Sequence, residues 1–252
     1  MIKVVLLGSG NVAYHLALAL NSAEHVELIQ RYSRNATNSI LFDSSIPHTC
    51  DLETLLTADV YIIAIKDEAI ASISEKISHL KGLVIHTSGT VPMHALDSKL
   101  KRGVLYPVQS LSIKQHIEFN EVPLVIEAAK NKDLELLHQL ASQLSDHIFN
   151  LDSVARKKLH ISAVFANNFS NYMFTCAQTL CQKNQIPFEV LRPLILETGK
   201  KIQYMDPLEA QTGPARRNDQ QVIEKHLGQL SGEHKEIYEI VTAAISKTYQ
   251  PK

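Results

Sequence analysis

The chain has 252 residues, of which 45% are hydrophobic and 20% charged, with a formal net charge of -1. That length suits one large or two modest domains with a real core, and the charged fraction is too low for a disordered chain. The near-neutral balance excludes a general nucleic-acid binder, which carries a basic excess.

Ile2 to Leu7 is a continuous apolar run, as a strand buried on both faces requires. It is too short for a secretion signal and runs straight into glycine. Asn11 to Asn21 has helical spacing, with Val12, Leu16, Ala19 and Leu20 on one side. His25 to Tyr32 reads as a strand, Leu52 to Leu56 as a short helix, Val60 to Ile65 as a buried strand, and Glu68 to Leu80 as a helix. Leu83 to His86, Gly103 to Tyr106 and Pro123 to Ala128 are further strands. Lys132 to Leu144 is helical and His147 to Leu151 a last strand. This alternation predicts an α/β domain over residues 1–152, a Rossmann-type, mostly parallel sheet with helices on both faces.

After Asp152 the pattern becomes helical. Ser153 to about Lys183 keeps helical periodicity for about eight turns, with no Gly or Pro to stop it. Pro187 and Pro193 bracket the start of a helix running to about Tyr204. Gln211-Thr212-Gly213-Pro214 reads as a loop. Asn218 with Gln221 predicts a capping box for a helix to Leu230, and Ser231 a cap for a helix to about Thr248. Residues 153–252 are therefore expected as an all-helical second domain. No apolar run reaches membrane-spanning length. Cys50, Cys176 and Cys181 are odd in number and form no C-x-x-C pair, which predicts a reducing compartment; with no spanning run, a cytoplasmic protein out of contact with membrane is expected.

Gly8-Ser9-Gly10-Asn11-Val12-Ala13 fits G-x-G-x-x-A between a buried strand and a helix. Gly8 permits the tight turn, Gly10 lets backbone approach a diphosphate, and Ala13 allows close helix–strand packing. The diphosphate is expected on the amides of the helix start, where the dipole favours negative charge. An NAD site places Asp or Glu at the end of the second strand. Here the chain reads Gln30-Arg31-Tyr32-Ser33-Arg34-Asn35, without an acid. Ser33 and Arg34, or Arg31, suit a 2′-phosphate, so NADP is the expected cofactor.

Ligands of such sheets lie past the carboxyl ends of the strands. Ala64 and Lys66, then His86-Thr87-Ser88-Gly89, are expected beside the nicotinamide, with Gln109 and Ser110 of Tyr106-Pro107-Val108-Gln109-Ser110 toward substrate. His160, Val164, Asn167 and Asn171 share one helical stripe, with Asn168 close to it. Polar groups on an otherwise apolar helix meet either a ligand or an interface. His160 is the candidate proton donor to a carbonyl or imine. Thr212 and Gly213, with Arg217, are candidates for closing over an anionic substrate, the alternative being a solvated loop. No His/carboxylate spacing suits a metal.

Together, Gly8 to Ala13, Ser33-Arg34, His86 to Gly89, Tyr106 to Ser110, His160 through Asn167-Asn168-Phe169, and Gln211 to Pro214 resemble the NADP oxidoreductases that join a Rossmann-like domain to an uncharacterised helical C-terminal domain. The resemblance spans essentially the whole chain. More distantly, the chain is similar to pyrroline-5-carboxylate reductase, ketopantoate reductase, the deazaflavin-dependent NADP reductases, and the 6-phosphogluconate and β-hydroxyacid dehydrogenases. The first of these flanks its nicotinamide with a small-residue turn and a Met-Pro-Asn segment, whose places His86 to Gly89 and Tyr106 to Gln109 hold here. The β-hydroxyacid dehydrogenases use a lysine on the first long C-terminal helix. Here His160 stands near that place, while Lys157 and Lys158 fall off the stripe. The resemblance implies a homodimer through the helical domain. The resemblance says little about the reaction; from the residues the expectation is hydride transfer to or from a small keto, imino or hydroxy acid held between the domains, with His160, Asn167, Asn168 and His86 as the catalytic group. Two rivals stand beside this reading: a non-catalytic NADP-binding regulator or scaffold, and an NAD-linked dehydrogenase.

Overall fold

A computed structural model describes residues 1–35 and 45–249. The chain divides into two compact units, Met1–Asn168 and Phe169–Lys252. The helix beginning at Ser153 belongs to the first.

Eight strands form one sheet: β1 (Ile2–Leu7), β2 (Val26–Tyr32), β3 (His48–Thr49), β4 (Val60–Ile63), β5 (Leu83–His86), β6 (Lys101–Pro107), β7 (Leu124–Ala128) and β8 (Ile148–Asn150). Their order is β3-β2-β1-β4-β5-β6-β7-β8. Every described pairing is parallel except β6 with β7. The order therefore reverses between β1 and β4, the position at which doubly wound folds open a crevice for nucleotides.

Helices α1 (Asn11–Ser22), α2 (Ile70–Lys76) and α3 (Asn131–Ser142) cover the faces. Side chains alternate along each strand. Val4 and Leu6 of β1 and Val60 and Ile62 of β4 join Leu16 and Leu20 of α1 and Leu137 and Leu140 of α3 in one core. Val5 and Leu7, with Tyr61 and Ile63, join Ile70, Ile73 and Ile77 in the other. Continuous apolar strands follow directly, because both faces are dry. The two-residue β3 is too short to leave a periodic signal and was not expected.

Helix α4 (Ser153–Ala163) starts at Asp152, whose Oδ1 accepts from the Ala155 amide at 2.7 Å. It runs into a π-helical turn, Val164–Phe169, and then α5 (Ser170–Lys183). The predicted long helix exists, but the π turn interrupts its phase. The single stripe expected from His160 to Asn171 assumes uninterrupted 3.6-residue turns, and a π turn rotates later residues off that line.

The second unit continues with α6 (Arg192–Lys201), short α7 (Pro207–Ala210) and α8 (Pro214–Arg217), α9 (Gln220–Leu227) and α10 (Gly232–Tyr249). The cap of α9 differs from expectation. Asn218 is left-handed, at φ 56°, and ends α8, so Asp219 caps instead by accepting from the Val222 amide at 3.3 Å. Asparagine tolerates the left-handed region, which removes it from capping duty here. No helix of the described residues is long and apolar enough to cross a membrane.

Candidate functional site

At the reversal point, the Gly8 amide donates to the Tyr32 carbonyl at 2.8 Å and the Ala64 amide to the Leu7 carbonyl at 2.7 Å. The first bond holds the end of β1 against β2 and the second holds it against the end of β4. Gly8 has φ +141°, and a Cβ there would stand 2.0 Å from the Ala64 carbonyl oxygen. Only glycine fits. Gly10 caps α1 without a side-chain hydrogen bond, and a Cβ on it would meet nothing within 4 Å. The two glycines thus differ: one is required by the protein's own backbone, while the other leaves open space before the first-turn amides of Asn11, Val12 and Ala13. Such amides have no acceptor within the helix, and the open approach fits a diphosphate. Ser9 is half-buried within the turn.

At the end of β2, Ser33 is buried and Arg34 exposed. Ser33 Oγ lies 2.9 Å from the Asn35 carbonyl and 2.8 Å from His48 Nε2. Arg31, itself buried, pairs in register with His48 on β3. Burial and then the Arg31 charge hold the His48 pKa below its usual value.

Past β4 and β5, Ala64 is buried and Lys66 exposed. Asp67 Oδ2 accepts from Ser88 Oγ at 2.8 Å and Thr90 Oγ1 at 2.5 Å. Ser88 Oγ in turn accepts from the amides of Thr90 and Val91. Its hydroxyl therefore builds the turn, and the Thr87 amide reaches back to the Ile63 carbonyl at 3.3 Å.

The expectation that His86 works among the reacting groups meets a different arrangement. Its ring is fully buried, with Nδ1 accepting from the Ser88 amide at 3.2 Å. Nε2 has no hydrogen-bond partner among the described residues, although the nearby Pro92 carbonyl favours the charged form. Burial, then Arg156, drives its pKa down to about 4. A ring that is fully buried and neutral at physiological pH supports the turn from beneath.

His160, half-buried on α4, behaves otherwise. Its Nδ1 lies 3.0 Å from the Tyr106 hydroxyl at the end of β6, with the rings edge to face at 5.9 Å. Burial raises the Tyr106 pKa and Arg156 opposes this, so the phenol stays protonated at neutral pH. Gly89 makes the pair possible. A Cβ there would lie 2.7 Å from His160 Nδ1 and 2.8 Å from Tyr106 Cζ.

One turn before His160, fully buried Arg156 ion-pairs with Glu127 of β7 and donates to the Val91 carbonyl at 2.6 Å. Ser153 Oγ donates to Glu127 and accepts from the Met93 amide at 2.9 Å. This cluster fastens α4 to β7 and to the segment after β5. Sequence reasoning passed over Arg156, Glu127 and the Tyr106 hydroxyl. A lone arginine on a helix reads as solvated surface, and its acidic partner stands 29 positions away.

Asn167 and Asn168 lie in the π turn with exposed side chains, and Gln109 and Ser110 are exposed beyond β6, with Gln109 Oε1 accepting from the Ser110 amide. In the second unit, Thr212 and Gly213 line a cavity of about 330 Å³ with Met173, Leu180, Ile237 and Val241. That lining is largely apolar. Arg217 is exposed and does not line it, while Arg216 donates to the Gln211 and Glu209 carbonyls. Among the described residues no cluster of three His, Cys, Asp or Glu has the arrangement of a metal site.

A Bacteroides fragilis protein described as "putative NADP oxidoreductase" is 36% identical, with 98% of each chain covered and a TM-score of 0.88. The chain belongs to this oxidoreductase family. Residues 122–245 match the model of a domain of unknown function, DUF2520. Two more distant structures share the fold of the family. The 1-pyrroline-5-carboxylate reductase of Streptococcus pyogenes is 13% identical over 98% of both chains, with a TM-score of 0.67. The pyrroline carboxylate reductase of Plasmodium falciparum, crystallised with NADP bound, is 14% identical over 99% of this chain and 97% of its own, with a TM-score of 0.60. A search of curated proteins finds no significant match.

Proposed function

We propose that this chain is an NADP-dependent oxidoreductase acting on a small keto, imino or hydroxy acid. The observation that carries the reading is the contrast at the phosphate turn. Gly8 is forced by the Ala64 carbonyl, and Gly10 leaves its approach open. Family membership and the relative crystallised with NADP support the same cofactor. The amides of Gly10, Asn11 and Val12 would hold the diphosphate, Ser33 and Arg34 the 2′-phosphate, and Ala64, Lys66, Thr87 and Ser88 would border the nicotinamide. Bound NADPH supplies a hydride; position and protons come from the protein.

His160 is the proton donor in this reading. With Nδ1 committed to Tyr106, Nε2 is the atom left to face a substrate. The Arg156–Glu127 pair fixes the helix turn that carries the imidazole. Asn167 and Asn168 would orient the substrate, helped by Gln109 and Ser110. Thr212, Gly213 and Arg217 belong to the helical unit. That unit also carries many exposed apolar side chains, among them Val190, Leu194, Leu196, Ile240 and Val241, which suit a homodimer. In functional terms residues 1–152 bind the cofactor and 153–252 serve substrate and dimerisation.

The test is NADPH consumption by the purified protein over a panel of 2-keto and cyclic imino acids. His160→Ala should lower kcat by about 10²–10⁴-fold and leave NADPH affinity unchanged. NADPH binding without turnover across the panel, or turnover indifferent to this change, would replace the enzyme with a non-catalytic NADP-binding regulator or scaffold.

A further inference from the structure

We propose that His48 is a specificity-determining positioning residue for the 2′-phosphate of NADP, acting by orienting the Ser33 hydroxyl. The inference rests on the NADP reading above. A serine hydroxyl has one proton and two lone pairs. Among the described residues Ser33 Oγ has two close partners, the Asn35 carbonyl, which only accepts, and His48 Nε2. Both bonds form together in one way: His48 Nε2–H donates to Ser33 Oγ, and Ser33 donates onward to the carbonyl. This pattern fixes the histidine's tautomer and holds the serine proton toward the Asn35 carbonyl, past the end of β2. A phosphate arriving beside Ser33 takes over that proton from the Asn35 carbonyl, while the hydroxyl oxygen stays held from behind.

The surroundings favour an anion. His48 sits on β3, which among the described residues pairs with β2. From β2, Arg31 lies opposite in register, with Tyr32, Ser33 and Arg34 following. From the segment after β3, Cys50 and Asp51 lie near enough to act on Tyr32. Before ligand arrives, burial and Arg31 keep the His48 ring neutral at neutral pH. A nearby phosphate dianion reverses that balance and raises the bound-state pKa. Affinity gained this way is complete below the free-state pKa and fades as pH rises through the bound-state value. The 2′-phosphate itself keeps its second charge only above about pH 6.

The experiment is calorimetric titration of the full chain with 2′,5′-ADP, which carries the 2′-phosphate without the nicotinamide, at about pH 6.5 and about pH 8. NADH binding in parallel reports an intact fold and glycine turn. The wild type should bind 2′,5′-ADP several-fold more tightly at the lower pH. His48→Leu should lose about 10-fold in 2′,5′-ADP affinity, the scale of one hydrogen bond in a charged network, with NADH affinity unchanged. His48→Gln retains a donor without a titrating group. It should recover most of the loss and show a flat pH profile. Wild-type affinity in His48→Leu, or equal losses for 2′,5′-ADP and NADH, overturns the inference and leaves the NADP reading standing. Failure of the wild type to bind 2′,5′-ADP while NADH binds overturns both.

Discussion

At the end of β1 the chain offers bare backbone, whereas on α4 it offers a histidine whose place is set by side chains from β6 and β7 and by the gap at Gly89. The glycine turn needs Gly8 against the Ala64 carbonyl and open space at Gly10. His160 needs Tyr106 from β6, the cut-out at Gly89, and an arginine clamped by Glu127 of β7. A site made of backbone is specified locally, by what a few adjacent residues lack. A site made of side chains is specified by partners far apart in sequence. The first should tolerate change almost anywhere except in the turn, while the second should fail when any distant member is removed.

The largest break in that contrast comes from Arg156→Met. It strands the Glu127 carboxylate without its cation, and removing one member of a buried pair costs about 3–5 kcal/mol. Urea unfolding should show the loss. The double change Arg156→Met with Glu127→Leu should recover a large part of it. A single variant as stable as wild type would mean that the pair does not hold α4.

Next comes the separation of the two glycines. Gly8→Ala forces a Cβ into the Ala64 carbonyl at a φ that L-residues avoid, so a loss of about 3 kcal/mol is expected, together with cofactor binding. Gly10→Leu meets no protein atom near its Cβ. It should leave thermal stability within about 1 kcal/mol while abolishing NADPH binding. If both variants lose stability alike, Gly10 serves the fold, not a ligand.

The smallest effect sharpens the contrast between the two histidines. His86 has a folded-state pKa of about 4 against 6.5 when unfolded, so the unfolded chain binds the extra proton between those values. Stability therefore falls as pH drops below about 6.5. The contribution is about 2 kcal/mol by pH 5, relative to neutral pH. His86→Asn keeps an acceptor for the Ser88 amide and should flatten that part of the pH–stability curve. An unchanged curve would show that His86 does not titrate as its burial requires.

Much of this architecture was legible because burial on both faces writes continuous apolar runs into the parallel strands, as in Ile2–Leu7 and Val60–Ile63. The glycine turn was legible for the same local reason. Three features escaped. The β3 strand is two residues long and leaves no period. The π turn at Val164–Phe169 carries no Gly or Pro to announce it, so a stripe drawn through His160 and Asn171 assumed a regularity the helix lacks. Asn218 lost its capping role to Asp219 because its own backbone had turned left-handed. At the candidate site, His160 stood out as a polar group on an apolar helix. Its Tyr106 partner is 54 residues distant, and no periodic pattern encodes such a meeting.

One exposed carboxylate has reach beyond its own contacts. Asp67 leads out of β4, yet its oxygen grips Ser88 and Thr90 beyond β5. The two rims of the sheet's crevice are thereby riveted a second time, beyond the backbone bond from Thr87 to Ile63, so Lys66 and Thr87 keep step. Replacing Asp67 with alanine would act like drawing one of two rivets: the backbone bond still joins the planks, but their outer edges are free to drift.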